Sequence, residues 1–202
     1  MTEILLATRN RKKLVELERI LAASLPQATV VGIDDVPDFE EVAETEATFE
    51  GNALLKARAG ALATGLLTIA DDSGLCVDAL NGMPGVLSAR WAGGHGDDIA
   101  NLELVLAQVE QVPDDRRGAA FVCAAVAAWP DGRSMAVEGR VEGRLIRSPR
   151  GSNGFGYDPV FVPHGLDQTT AELDELEKDA ISHRGQALRA LAARLADAMQ
   201  LP

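Results

Sequence analysis

Residues Ile4 to Ala7 form a short, uninterrupted apolar run that leads directly into Leu14, Leu17, Ile20 and Leu21, which are spaced to line one face of a helix. This pattern predicts a buried strand followed by a helix. The order then reverses. A helix is predicted from Phe49 to Thr64, with Thr48 as its N-cap and Gly65 as its stop, and Leu66-Leu67-Thr68-Ile69-Ala70 reads as a second buried strand. A β-α unit followed by an α-β unit places the chain in the α/β class.

Farther along, Asp98 to Val109 has helical spacing through Ile99, Leu102, Leu106 and Val109. The runs Ala119 to Trp129 and Met135 to Ile146 flank Pro130-Asp131-Gly132 as a long hairpin would, so the sheet is expected to be mixed. Ser148 to Gly156 is a loop rich in Gly, Ser, Asn and Pro, and a closing amphipathic helix carries Leu188, Leu191, Leu195 and Met199. With 202 residues, no internal repeat and no low-complexity linker, residues 1–202 are expected to form a single domain, in one piece or as two lobes sharing a core.

The formal charge of −12 excludes a long electrostatic footprint on nucleic acid or an anionic membrane, because such binding draws on clustered Lys and Arg. Any phosphate must therefore be met locally. Cys76 and Cys123 lie in apolar runs without metal-ligand spacing and read as buried thiols of a reducing cytosol. Met1 to Ala7 lacks the layout of a signal peptide, and the longest apolar run, Ala119 to Trp129, is too short to span a bilayer. A cytoplasmic protein is expected.

Three groups of residues have the makings of chemistry. The first is Thr8-Arg9-Asn10-Arg11-Lys12-Lys13, where a buried strand ends and a helix begins. Asn10 can cap that helix, whereas Arg11, Lys12 and Lys13 stand at the positive end of its dipole, a conflict that an anionic ligand would resolve. The alternative is a solvated basic turn. The second group is Asp71-Asp72-Ser73-Gly74, read as following the strand Leu66 to Ala70 and so lying at a strand's carboxyl end. Two carboxylates there suit Mg²⁺, which prefers hard oxygen ligands and keeps water while bridging to phosphates; a plain acidic turn is the alternative. Just upstream, one of Glu40, Glu41, Glu44, Glu46 and Glu50 is placed to complete such a site, and Asn52 and Lys56 share a helix face.

The third group lies towards the C-terminus. Gly154-Phe155-Gly156-Tyr157-Asp158-Pro159 puts two aromatics into a loop of a chain in which aromatics are only 4% of residues, which suggests a surface for stacking a base; the competing reading is a loop that closes over the core. Glu177-Lys178 and Ser182-His183-Arg184-Gly185 bring donors to the start of the last helix. His95 and His164 read as ordinary loop residues.

Taken in order, Thr8-x-Asn10-x-x-Lys13, Asn52-Ala53-x-x-Lys56-Ala57, Ala70-Asp71-Asp72-Ser73-Gly74, Pro84-Gly85-Val86-x-Ser88-Ala89-Arg90, Gly154-Phe155-Gly156-Tyr157-Asp158-Pro159 and Ser182-His183-Arg184-Gly185 resemble the inosine triphosphate pyrophosphatase family over nearly the whole chain. The resemblance implies a two-lobed α/β fold with a long curved mixed sheet flanked by helices, a substrate cleft between the lobes, and a homodimer. It implies hydrolysis of non-standard purine nucleoside triphosphates (ITP, dITP, XTP) to monophosphate and pyrophosphate. A triphosphate grip falls to Thr8, Asn10 and Lys13, with Arg9, Arg11 and Lys12 in the same corner and Lys56 assisting. Asp72 is implied as Mg²⁺ ligand and as the base that orients water, with Ser73 beside the substrate. Phe155, Gly156, Tyr157, Asp158, Lys178, His183 and Arg184 surround base and sugar. Two departures stand out: Gly51 occupies a position where many relatives carry Glu, and Ala43-Glu44-Thr45 replaces a paired Glu. Glu44 is the nearest candidate for a second metal carboxylate, with Glu41 the alternative. The rival functions are a pyrophosphatase for pyrimidine or modified nucleotides and a non-catalytic nucleotide-binding regulator.

Overall fold

Ile4, Leu5 and Leu6 of strand β1 (Thr2–Leu6) have 0% of their surface exposed, and the strand is central: it pairs in parallel with β2 (Ala28–Val31) on one side and β3 (Leu67–Val77) on the other. A strand with parallel neighbours has both faces covered, and for that reason it carries a continuous apolar run instead of an alternating one. The computed structural model describes residues 2–40, 42–94 and 96–199; Glu41 and His95 lie outside the described residues, and of Thr2 and Met199 only the backbone is described. The six-stranded sheet has the order β2-β1-β3-β4-β5-β6, with β4 (Gly118–Ala128), β5 (Ser134–Leu145) and β6 (Phe161–Pro163), the last antiparallel to β5. The mixed sheet foreseen from the hairpin is thus present.

The chain divides into two units. Unit 1 comprises residues 1–72, 123–139 and 184–202, and unit 2 comprises 73–122 and 140–183, so strands β3, β4 and β5 each contribute residues to both. In unit 1, helix α1 (Arg11–Ser24) follows β1 after an Asn10 cap, and helix α2 (Phe49–Thr64) runs from a Thr48 cap to Gly65, whose φ of 71° ends it in the left-handed conformation. The bounds of α2 and the caps of both helices are the ones the sequence predicts.

Alternation along the strands sorts this unit into layers. Leu67 and Ile69 of β3, with Cys123, Ala125 and Ala127 of β4, pack with Leu17, Ile20 and Leu21 of α1 and with Leu188, Leu191 and Leu195 of the last helix, α5 (His183–Met199). Ala70, Val126 and Ala128 instead pack with Ala53, Ala57 and Ala61 of α2. The α2 contact is built almost wholly of alanine, which lets helix and sheet approach closely.

Unit 2 has its own core, in which Leu75, Val77, Ala119, Phe121, Leu145, Tyr157, Val160 and Phe161 meet Leu102, Val105 and Val109 at helix α3 (Asp98–Gln108). Ile99, placed on the buried face by its spacing, is 71% exposed: Leu102, Val105 and Val109 form the inward stripe, and Ile99 falls off it. Helix α4 (Glu175–Ile181), opened by an Asp174–Glu177 capping box, was not foreseen, nor were β2 and β6. Lys178 therefore sits on its own short helix and not at the start of α5. Cys123 is buried, whereas Cys76 is only half-buried.

Candidate active site

The acidic pair corrects one expectation. Strand β3 does not end at Ala70 but continues to Val77, so Asp71 and Asp72 lie mid-strand and not at its carboxyl end. Buried Leu75 and Val77 extend the strand into the second core. The consequence is chemical: neighbouring residues of a strand point to opposite faces, so the two carboxylates enter different surroundings.

Asp71, 2% exposed, points to the α1 and α5 side. Its Oδ2 lies 3.1 Å from Lys13 Nζ and 3.3 Å from Arg184 Nε, while Arg184 Nη1 donates to Glu16 Oε2 at 2.5 Å. Burial works against the charge on Asp71, yet Lys13, Arg184 and Lys56 outweigh it and hold the carboxyl well below its usual range. Arg184 is 2% exposed; burial opposes its charge too, and Glu16 and Asp71 raise its pKa above the ordinary value. Cys123 Sγ lies 3.9 Å from Asp71 Oδ2, and burial, together with that carboxylate, pushes the thiol far up. Cys123 is therefore no nucleophile.

Asp72, 5% exposed, points to α2. Its Oδ2 accepts from Asn52 Nδ2 at 3.1 Å, and its Oδ1 is 4.0 Å from Lys56 Nζ. Lys56 Nζ donates to Glu44 Oε1 at 2.6 Å. Burial pushes the Asp72 carboxyl up, Lys56 pulls it down and Glu44 pushes it up again, leaving it at about 6. Lys56 loses from burial but gains more from Asp71, Asp72 and Glu44, so its pKa rises and it stays charged.

At the corner after β1, the Asn10 side chain accepts the backbone N–H groups of Lys12 (3.1 Å) and Lys13 (3.2 Å), and Thr8 Oγ1 accepts that of Asn10 at 3.3 Å. Asn10 is thus a helix cap. Arg9, Arg11 and Lys12 are exposed, Thr8 is half-buried, and Arg9 reaches the carbonyl of Phe39 at 3.5 Å. No acidic residue stands in the first turn of α1, so its dipole and its cations both favour an anion.

In unit 2 the Gly154–Pro159 loop is organised by Asp158, which is 3% exposed. Its carboxylate accepts from the Phe155 N–H (2.8 Å), Thr170 Oγ1 (2.8 Å) and Lys178 Nζ (2.6 Å). Gly154 has φ of 74°, and a Cβ there would collide with Asp158 Oδ2 and lie 2.9 Å from Lys178 Nζ, so a side chain at that position would break the arrangement. The aromatics of this loop divide. Tyr157 is 5% exposed, packed in the core, with its hydroxyl donating to the Ser88 carbonyl at 2.8 Å; it closes the core and is no stacking surface. Phe155 stays half-buried, with Lys178 Nζ 5.1 Å from its ring centre. Gly156 and Ser73 are half-buried as well, and the His183 ring stacks on Phe121 at 4.8 Å and 10°.

Two features escaped sequence reasoning. Glu16 is a buried carboxylate, and its signal was present: Lys13, Glu16, Leu17 and Ile20 share one face of α1, so a charge among the apolar positions called for a buried partner. The role of Asn52 as the donor to Asp72 required the fold to be known. Among the described residues, no group of three or more His, Cys, Asp or Glu side chains is placed to hold a metal.

The comparisons with known proteins agree over nearly the full length. Residues 4–194 match the model of the Ham1 family. The chain is 58% identical over 200 residues to a dITP/XTP pyrophosphatase of Mycobacteroides abscessus, covering 98% of this chain and 97% of that one. It is 58% identical over 192 residues to a dITP/XTP pyrophosphatase of Streptomyces coelicolor, covering 95% and 96%. The solved structure of the Staphylococcus aureus Ham1 protein superposes with a TM-score of 0.86 at 42% identity, over 97% of this chain and 99% of that chain. An α/β mixed sheet flanked by helices, the ordered sequence blocks and these relatives converge: the chain belongs to the Ham1 family.

Proposed function

We propose that this protein is a nucleoside-triphosphate pyrophosphatase that hydrolyses non-standard purine nucleotides (ITP, dITP and XTP) to the monophosphate and pyrophosphate. The observation that carries the chemistry is the arrangement around β3: Lys13 on one face, Lys56 on the other, and next to Lys56 a buried carboxyl, Asp72, whose proton affinity lies near neutrality. Its relatives of the same family bear the name dITP/XTP pyrophosphatase.

In the reaction a water oxygen attacks the α-phosphorus, the bond from that phosphorus to the pyrophosphate oxygen breaks, and the water's proton passes to the Asp72 carboxylate. In the metal-free protein the Asp72 carboxyl lies at about 6 and is ionised at neutral pH, so the carboxylate is available to orient the attacking water and to hold a cation. Lys13 and Lys56 offset charge that builds on the leaving pyrophosphate. Arg9, Arg11 and Lys12 grip the outer phosphates, with Thr8 and Asn10 shaping their corner. Positioning and electrostatics carry most of the catalysis in phosphoryl transfer, and no covalent nucleophile is required.

Magnesium fits the residues present. Asp72 and Glu44 supply hard carboxylate oxygens, and the mutual repulsion that helps to raise the Asp72 pKa is relieved by a cation. Two protein carboxylates are enough for an ion that keeps water and takes phosphate oxygens for its remaining ligands. When bound, Mg²⁺ would supply charge neutralisation on the phosphate being attacked. Glu41, the alternative to Glu44, lies outside the described residues.

Phe155, Gly156, Lys178 and His183 keep the place at base and sugar that the resemblance gives them, and Ser73 that beside the substrate. Asp158 serves by holding Lys178, and Arg184 by holding Asp71; the resemblance also gives Arg184 a place at the base. A 6-oxo group that accepts from a protein donor separates these substrates from ATP by a large factor, because ATP leaves the donor unpaired. The reading includes a homodimer and a cytoplasmic location; among the described residues no helix is long and apolar enough to cross a membrane.

The test is hydrolysis of ITP, XTP, GTP and ATP with and without Mg²⁺, with pyrophosphate and orthophosphate assayed separately. Fast, metal-dependent release of pyrophosphate from ITP and XTP is the expected result, with little from ATP, which lacks the 6-oxo group, or from GTP, which shares it but brings a 2-amino group that must clash or be left unpaired. Orthophosphate as the first product, or preference for pyrimidine nucleotides, would overturn the reaction or the substrate assignment respectively.

A further inference from the structure

Asn52, in the first turns of α2, is 0% exposed. Both ends of its side-chain amide are committed: Nδ2 donates to Asp72 Oδ2 at 3.1 Å, and Oδ1 accepts the backbone N–H of Glu46 at 2.9 Å. A buried amide engaged in this way has one orientation, since turning it over would set donor against donor and acceptor against acceptor. Asn52 therefore ties the strand that bears Asp72 to the segment that bears Glu44.

That segment also lies close to the start of α2. Thr48 Oγ1 accepts the Gly51 N–H at 3.1 Å, and a Cβ at position 51 would lie 2.6 Å from Glu46 Cβ and 2.9 Å from Glu46 Cγ. Contacts of that length to a Cβ are not relieved by swinging a side-chain tip, so the segment would have to lift. The glycine at position 51 thus has a local reason.

We propose that Asn52 and Gly51 are positioning residues for the hydrolysis: Asn52 locks the Asp72 carboxylate to the segment carrying Glu44, and Gly51 leaves that segment the room to lie on α2, so that the two carboxylates act as one cradle for a divalent cation. This rests on the assignment of Asp72 and Glu44 given above.

The experiment combines steady-state kinetics on ITP with Mn²⁺ titration of the substrate-free protein followed by electron paramagnetic resonance. Asn52→Ala is expected to lower kcat about 100-fold while KM stays within about threefold, because the cations that hold the triphosphate are untouched. It should also weaken Mn²⁺ binding by about 10-fold. Gly51→Ala should weaken Mn²⁺ by about 10-fold and raise the Mg²⁺ concentration for half-maximal rate by the same factor. Adding Glu46→Gly to Gly51→Ala removes the Cβ and Cγ that the new methyl group meets and should restore Mn²⁺ affinity to within about threefold of the native protein. General damage to the helix would not be rescued in that way. Leu62→Ala, on the exposed side of the same helix, serves as the control with unchanged kinetics and Mn²⁺ affinity.

If Asn52→Ala keeps the native kcat and Mn²⁺ affinity while Asp72→Asn is inactive, positioning by Asn52 is wrong and the assignment of Asp72 stands. If Asp72→Asn is itself fully active, the assignment beneath the proposal fails. Should Asn52→Ala not fold, the Gly51 pair decides: native Mn²⁺ affinity in Gly51→Ala, or no recovery with Glu46→Gly, overturns the proposal.

Discussion

The two faces of strand β3 treat adjacent aspartates in opposite ways. On the α1 and α5 side, Asp71 meets two cations at 3.1 and 3.3 Å and is kept ionised. On the α2 side, Asp72 meets a neutral amide at 3.1 Å, an ammonium at 4.0 Å and the charge of Glu44, and its proton affinity rises to about 6. Two residues of one type, both buried and one peptide bond apart, thus serve different ends. Asp71 anchors Lys13 and Arg184, and Asp72 is left with a charge that the fold does not fully compensate. An uncompensated buried charge costs stability, and such sites are where catalysis is found.

The comparison is open to direct attack. The largest effect is expected from Asp72→Asn, which removes the proposed proton acceptor and should lower kcat for ITP by about 1,000-fold or more; a rate within tenfold of native would dissolve the distinction between the two faces. Next comes Asp71→Asn, which strands Lys13 and Arg184 beside a neutral group. Breaking a buried pair in this way costs about 3–5 kcal/mol, to be read from urea unfolding at pH 7. Because the folded pKa of Asp71 is depressed, its contribution is present above the unfolded-state pKa and is lost as pH falls, so the difference from the native protein should shrink towards strong acid.

Asp72→Asn should have the opposite sign in the same assay. The folded pKa of Asp72 is raised, so its share of stability is whole below the unfolded value of 3.8 and is lost as pH rises through about 6. In metal-free buffer the Asn variant should therefore gain on the native protein between about pH 4 and 6, reaching about 2–3 kcal/mol and staying level above. A native protein that is as stable as the variant at pH 8 would mean that Asp72 is better compensated than its partners suggest. The smallest effect belongs to unit 2: Asp158→Asn weakens the hold on Lys178 and should raise KM for ITP by about tenfold, with kcat little changed. A change in kcat instead would give Lys178 a part in the chemistry.

Much of this was legible in the sequence where the cause is local. The bounds of α2 follow from Thr48 and Gly65, the cap of α1 from Asn10, and the hairpin from Pro130-Asp131-Gly132, because each depends on residues within a turn or two of the feature. Motif order carried the family, since six short blocks in sequence survive without knowledge of their contacts. Sequence reasoning failed where a distant partner decides. It ends β3 at Ala70, because nothing local shows that Leu75 and Val77 join a second core, and it leaves open whether Tyr157 stacks on a base or closes the core, which the core around the ring and the Ser88 carbonyl on its hydroxyl decide for closure.

Propensity, capping and apolar period act over a few residues, and they made β1, α1, α2, α3, α5, the β4–β5 hairpin and the residue types brought to the site readable from the chain, but not β2, β6 or α4. Tertiary structure decided why the two aspartates differ, one held ionised between two cations and the other left with its proton affinity raised. The partners that settle it, Arg184 for Asp71 and Asn52 for Asp72, lie 113 and 20 residues away along the chain, and a pKa is set by charges and burial in space, where sequence distance has no bearing.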